Sequence, residues 1–332
     1  MEVDSERKSK LLKEGGYGCA MSPPLPCAKS KRKLNKKEVG KIIRVKNAKI
    51  ELTISALVKS IPGWAKFYVI QEKDDCTSKN FQVMRQNYEE DCSIYKSSPD
   101  DQLLQLLSPF AGRPLTQFTI TDSFDFMGTF RHMFQAVALL NKQGICHYDL
   151  HKNNILVDYK GRFRIIDFGA AFLGDEVEEN NLHRHVYVFS PDFPPLSPEL
   201  SIQHGISGGK TIRDSIEETL YKKKIFHDLI NMNFYTNIEK QSEIIRKFWR
   251  EDVNWDGSSW APFYKKYWRV WDSWALGVLF VDLLYNSFLV PGFKNTWNNN
   301  GNLIRKVLKG CLDINPDTRM TAEQAYELIK ND

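Results

Sequence analysis

The chain has 332 residues, of which 42% are hydrophobic and 26% charged, the make-up of a folded globular protein with room for one large domain or two lobes. Its net charge of +5 is mild, and nucleic acid is an unlikely partner, although Lys and Arg crowd between Lys29 and Lys49. That stretch reads as a solvated basic loop, with an acidic substrate, RNA or a nuclear-import signal as the sharper alternatives. Six cysteines (Cys19, Cys27, Cys76, Cys92, Cys146, Cys311) show no C-x-x-C spacing, which argues against a zinc site or disulfide framework and for a reducing compartment. The first residues, Met-Glu-Val-Asp-Ser-Glu-Arg, contain no apolar run, so no secretory signal is expected. The most apolar stretch, Trp274 to Val290, is interrupted by Asp282, Asn286 and Ser287 and reads as a buried helix rather than a membrane span. An intracellular protein is expected.

In chain order, Leu11 to Ala20 reads as strand, glycine turn, strand. Gly15, Gly16 and Gly18 would let backbone amides come close to phosphates, where side chains would obstruct them. Pro23 to Pro26 breaks regular structure and a basic loop follows to Lys37. Glu38 to Val45 is predicted as a strand, Ala48 to Ile61 as a helix with Ile50, Ile54, Leu57 and Ile61 on one face, and Phe67–Ile70 and Phe81–Met84 as further strands. Leu103 to Leu107 is another strand, closed by the Pro and Gly punctuation of Ser108 to Pro114. From Asp125 to Gln143 apolar residues recur at helical spacing, and Gly144 ends the run.

The most informative stretch comes next, His147-Tyr148-Asp149-Leu150-His151-Lys152-Asn153-Asn154-Ile155-Leu156-Val157, followed by Ile165-Ile166-Asp167-Phe168-Gly169. Asn154 stands five positions after Asp149 and Asp167 eighteen after it, and a Lys160-Gly161 turn joins two short strands in between. Such a hairpin offers an acid, an amide and a second acid. Metal-assisted phosphoryl transfer needs that set: one carboxylate to accept a hydroxyl proton, and an amide and a carboxylate to hold Mg²⁺ on phosphates. Further on, Ile212 to Ile230 and Ile238 to Arg250 are predicted helices, followed by Trp249, Trp255, Trp260, Trp268 and Trp271. Gly205 to Thr211 imitates a Walker A loop, but has three residues between its outer glycines where four are required. Asp272 is expected to cap the apolar helix that follows it, and Thr321 with Gln324 to form a capping box.

The Asp149, Asn154 and Asp167 pattern resembles the H-R-D-L-x-x-x-N and D-F-G motifs of the protein kinases. The resemblance implies an α+β, bilobal protein-kinase-like fold. Residues 11–111 would form a small β-rich N-lobe with one helix after a 1–10 extension. Residues 112–332 would form a larger, mostly helical C-lobe with an insertion at about 203–268. ATP and Mg²⁺ are the implied cofactors, with Asp149 as base and Asn154 and Asp167 as metal ligands. Gly15, Gly16, Gly18, Ala20 and Val39 would then surround the nucleotide, Lys41 would grip its phosphates, and Glu51, the only acid of the first helix, would pair with Lys41. His147 is read as structural.

Ser197-Pro198-Glu199 resembles the A-P-E of the family, with Arg319 as the buried partner of Glu199. Asp272 resembles the aspartate that binds the catalytic-loop backbone. Three positions depart from the pattern. Lys13 replaces a glycine. Tyr148 replaces the arginine that reads a phosphate on the activation segment. His151 replaces a lysine, a loss that Lys152, or His151 itself, would make good. The glycine hairpin running into Pro-Pro-Leu-x-Cys, together with H-Y-D-L-H, resembles kinases of large cytoplasmic DNA viruses. That implies viral or host protein substrates and a host-cytoplasm or virion setting. The expected activity is transfer to Ser/Thr hydroxyls of proteins. A small-molecule or lipid phosphotransferase and a nucleotide-binding pseudokinase are the alternatives.

Overall fold

The computed structural model describes residues 9–15, 18–25, 35, 37–77, 92–94, 102–253 and 259–331, the side chains of 74–77 and 251–253 excepted. It divides into two compact units, one of residues up to Gly112 together with Ile166–Gly169, the other of Arg113–Ile165 and the chain from Ala170 onward.

The first unit is built on an antiparallel five-stranded sheet of order β1-β2-β3-β5-β4. Its strands are β1 (Lys10–Gly15), β2 (Gly18–Ser22), β3 (Glu38–Arg44), β4 (Glu72–Thr77) and β5 (Leu103–Pro109). Helix α1 (Val45–Lys59) follows β3 without a loop. Cys19, Met21, Leu25, Ile42, Ile94 and Leu103 form a core on one side of the sheet. At the centre of β5, the buried Gln105 accepts from Leu25 N at 2.9 Å and donates to Leu25 O at 3.2 Å, so a side chain pairs the backbone beyond β2.

Two expectations are corrected here. Cys19 and Cys92 are joined by a disulfide across a sequence separation of 73. Local spacing carried no sign of it, because a buried cluster formed by the fold, and not a short motif, brings the two together. Phe67–Ile70 is not a regular strand: Gly63 at φ 70° opens a 3₁₀ turn, Trp64–Lys66, and the buried residues after it lead into β4 only at Glu72. The expected strand Phe81–Met84 lies outside the described residues.

In the second unit α2 (Phe126–Lys142) begins at Asp125, whose carboxylate accepts from Gly128 N at 2.8 Å. Two small sheets follow. β6 (Arg113–Pro114) pairs with β8 (Ile155–Val157), which pairs with β9 (Phe163–Ile165), and β7 (Ile145–Cys146) pairs with β10 (Phe172–Leu173). Beyond the four-residue turn Glu179–Leu182, the described helices that follow are α3 (Pro198–Ser207), α4 (Ile212–Lys222), α5 (Ile225–Asn231), α6 (Ile238–Lys247), α7 (Ala261–Ser287), α8 (Phe293–Cys311) and α9 (Ala322–Ile329).

The core sits where α2 meets α7. Phe126, Phe130 and Phe134, spaced four apart on one face, pack on Phe280, the closest ring pair being Phe130–Phe280 at 4.7 Å between centroids. Of the tryptophan-rich stretch, Trp249, Trp260, Trp268 and Trp271 are buried, and Trp255 lies outside the described residues. Thr321 and Gln324 form the expected capping box on α9.

Three helix expectations change. Ile212–Ile230 is two helices, because the chain turns extended at Lys223, whose side chain is buried. The α-helix from Ile238 stops at Lys247 and passes into a π-helical turn, Phe248–Val253. Asp272 is not an N-cap: α7 begins at Ala261, so Asp272 lies mid-helix and is buried.

Candidate active site

The predicted site residues fall into both units. In the first, strand periodicity puts Val39 and Lys41 on one face of β3. The pairing of Ala20 and of Leu106 with Lys41 sets both beside it on that face. Gly15 pairs with Gly18 at the tip of the β1–β2 hairpin, and Gly16 lies outside the described residues. A Cβ on Gly18 would stand 2.0 Å from Ile42 O, so only glycine fits that position.

Because α1 springs directly from β3, Glu51 comes back over Lys41. The Lys41 ammonium lies 2.8 Å from Glu51 Oε2, 3.0 Å from Glu51 Oε1 and 2.7 Å from Asp167 Oδ1. Glu51 is fully buried, which makes it the ion-pair partner of a nearly buried lysine. Burial alone would push the Lys41 pKa down, but the charges of Asp167 and Glu51, with hydrogen bonds to each, raise it. A permanent cation is thus held between two carboxylates. Asp167 has φ 68°, a left-handed conformation that a non-glycine residue keeps only under constraint.

In the second unit the loop between β7 and β8 carries Asp149 and Asn154. Asn154 Nδ2 donates to Asp149 O and to Asp149 Oδ2, both at 2.9 Å, so the amide fixes the carboxylate and the loop that bears it. On the other oxygen, His151 Nε2 lies 3.5 Å from Asp149 Oδ1, while His151 Nδ1 accepts from Asn153 N at 3.3 Å. The Lys152 ammonium pairs with Asp282 at 2.6 Å.

Asp272 anchors the loop from below, accepting from His147 N at 2.7 Å and Tyr148 N at 2.9 Å. His147 is fully buried, as a structural residue should be. Tyr148 has φ 68°, and its phenol runs into a buried cluster with His185, Gln203, His204 and Tyr264. Nothing in the sequence announced those partners, which three separate segments supply.

Glu199 and Arg319 form a bidentate pair at 2.7 and 2.8 Å with both side chains fully buried. Ser197 Oγ donates to Glu199 Oε1 at 2.7 Å, and Arg319 Nε donates to Asp313 O at 2.8 Å, so the remaining polar edges are satisfied.

The donor chemistry suits Mg²⁺, which takes hard oxygen ligands from one or two protein groups and leaves the remaining positions to water and phosphate. Asn154 and Asp167 offer an amide and a carboxylate oxygen, and they border the paired strands β8 and β9 in the chain. No group of three or more His, Cys, Asp or Glu forms a cage among the described residues. None of the described helices is long and apolar enough to cross a membrane.

Residues 80–210 match the family model described as the protein kinase domain. Among curated proteins, CBL-interacting protein kinase 25 of Oryza sativa subsp. japonica is 33% identical over 81 residues, which is 24% of this chain and 15% of that protein. CBL-interacting serine/threonine-protein kinase 19 of Arabidopsis thaliana is 28% identical over 81 residues, 24% of this chain and 16% of its own length. CBL-interacting protein kinase 16 of Oryza sativa subsp. japonica is 29% identical over 92 residues, 28% of this chain and 20% of its length. The aligned segments span at most a fifth of these relatives. All three are plant proteins, and the expected viral resemblance gains no support from them. The matches support a protein kinase, and the α+β architecture, which among the described residues is a sheet-rich unit carrying α1 and a largely helical unit, is of the kinase type.

Proposed function

We propose that the chain is an ATP- and Mg²⁺-dependent protein kinase that transfers the γ-phosphate to Ser/Thr hydroxyls, with Asp149 as base. One observation carries the reading: the Lys41 ammonium is held by Glu51 and Asp167 at 2.7–3.0 Å, a built cation site on the strand that follows the glycine hairpin.

Each residue has a task. Ala20 and Val39 offer apolar surface to the adenine, and Gly15, where a Cβ would meet nothing nearer than 3.8 Å, leaves room for phosphates against the backbone. Lys41 neutralises phosphate charge. Asn154 and Asp167 would hold Mg²⁺, which when bound supplies charge neutralisation on the phosphates. Asp149, its Oδ2 fixed by Asn154, accepts the hydroxyl proton as the substrate oxygen bonds to the γ-phosphorus. The bond from that phosphorus to the bridging oxygen breaks, and ADP leaves with the electron pair.

The Glu199–Arg319 pair favours a protein substrate over a small molecule, because it fixes the start of α3 at Ser197–Glu199, and these elements build the peptide-binding half in the resembled family. The viral or host setting of the substrate rests on the sequence motifs alone. Incubation with γ-labelled ATP, Mg²⁺ and a panel of proteins, peptides, lipids and small molecules tests the reading. Label in protein on Ser or Thr is expected; label only in small molecules would overturn it.

A further inference from the structure

The cluster around Tyr148 is built more fully than a packing role needs. Tyr148 is the residue before the proposed base, and its main chain is already fixed by Asp272 and by a left-handed φ. Its hydroxyl donates to His185 O at 2.7 Å and lies 3.0 Å from Tyr264 Oη and 3.3 Å from His204 Nε2. Tyr264, from α7, reaches the same His185 carbonyl at 2.9 Å and Gln203 Oε1 at 3.2 Å. Catalytic loop, segment 183–189, α3 and α7 therefore meet at one backbone carbonyl.

The proton count closes without charge. Tyr148 O–H and Tyr264 O–H both donate to His185 O, whose two lone pairs accept them, and the Nε2–H tautomer of His204 donates to the Tyr148 oxygen. Burial drives both imidazoles down to about 4 and pushes both phenols up, so all four groups are neutral at physiological pH. Tyr187 adds its ring against that of Tyr148, with centroids 5.6 Å apart. Between Ala170 and Leu196 the chain offers only two hydroxyls to modification, Tyr187 and Ser190.

We propose that Tyr148 is a positioning residue which, with Tyr264, latches segment 183–189 to the catalytic loop through the His185 carbonyl, so that the loop keeps its working shape without phosphorylation of that segment. The inference rests on the kinase reading of Asp149. A phosphate-dependent device would need a cation where the chain has placed two neutral phenols.

The test uses the full chain with a peptide it phosphorylates. Wild-type protein treated with a broad-specificity phosphatase, and the Tyr187→Phe/Ser190→Ala variant, should each keep kcat within about twofold. Tyr148→Phe removes one oxygen without opening a cavity; kcat should fall about tenfold with KM for ATP unchanged, the size of one lost hydrogen bond. Amide exchange over 183–189 should quicken in the same variant. Tyr264→Phe should act similarly, and the double variant should lose little more than either single one, because both serve one acceptor.

Loss of activity on phosphatase treatment, or a Tyr148→Phe enzyme with wild-type kcat, would overturn the latch. Asp149→Asn separates the two ideas. If that variant still transfers phosphate the kinase reading falls, whereas an inert Asp149→Asn beside an unimpaired Tyr148→Phe removes the latch alone.

Discussion

Lys41 is held by both Glu51 and Asp167, so its replacement has two costs: under the proposed function the nucleotide loses a cation, and Glu51 is left buried with its charge uncompensated. Lys41→Met should therefore lower kcat/KM for ATP by at least about a hundredfold, roughly 3 kcal/mol at the transition state, and also lower the melting temperature. Steady-state kinetics and a thermal melt read the two effects separately.

The imidazoles of the Tyr148 cluster make a prediction about pH. Burial, followed by the charges of Arg184 and His183, lowers His185, and burial lowers His204, each from 6.5 to about 4. Between those values the unfolded chain takes up a proton that the folded chain refuses. Stability is therefore full above pH 6.5 and declines as pH falls toward 4, by up to about 3 kcal/mol per ring. Urea melts from pH 7.5 to 4.5 should show the decline. His204→Gln, which keeps a donor but cannot titrate, should flatten it; a variant with the wild-type slope would assign the acid loss elsewhere.

Among the elements, α3 depends on the Glu199–Arg319 pair. Cutting Arg319 to Ala strands a carboxylate at zero exposure, an effect of about 3–5 kcal/mol in a urea melt. The disulfide between β2 and Cys92 closes a separation of 73 residues, and reduction, or Cys92→Ser, should cost about 2–4 kcal/mol. Titration with urea in the presence and absence of a thiol reductant measures it.

How far each of these features could be read from sequence follows from what encodes it. Ile212 to Ile230 reads as one helix because its apolar spacing continues through Lys223, whereas the buried side chain that breaks it donates to Phe193 O at 2.6 Å, a partner 30 residues away. Asp272 carries a local capping signal that proved misleading, since α7 begins eleven residues earlier and the carboxylate serves the catalytic loop instead. The hairpin of β8 and β9 was legible because its turn, its strands and its polar residues are contiguous. Lys41 with Glu51 was legible for a similar reason, as strand and helix are joined without a loop. Gln203, His204 and Tyr264 could not be read, because only the tertiary fold gathers them at Tyr148.

At the scale of the whole molecule the proposed chemistry draws on both compact units: Lys41, Glu51 and Asp167 from one, Asp149 and Asn154 from the other. Each has its own internal support. In the first, α1 is rooted in β3; in the second, Asp272 on α7 holds the backbone of the loop that bears Asp149. Asp149 is the proposed base for phosphate transfer to protein. The most direct measurement of that role is initial-rate transfer from γ-labelled ATP to a protein substrate, comparing wild type with Asp149→Asn at matched nucleotide affinity. The account predicts label on Ser or Thr and a fall of at least about a hundredfold in the variant, with nucleotide binding retained. Undiminished transfer by Asp149→Asn would contradict it.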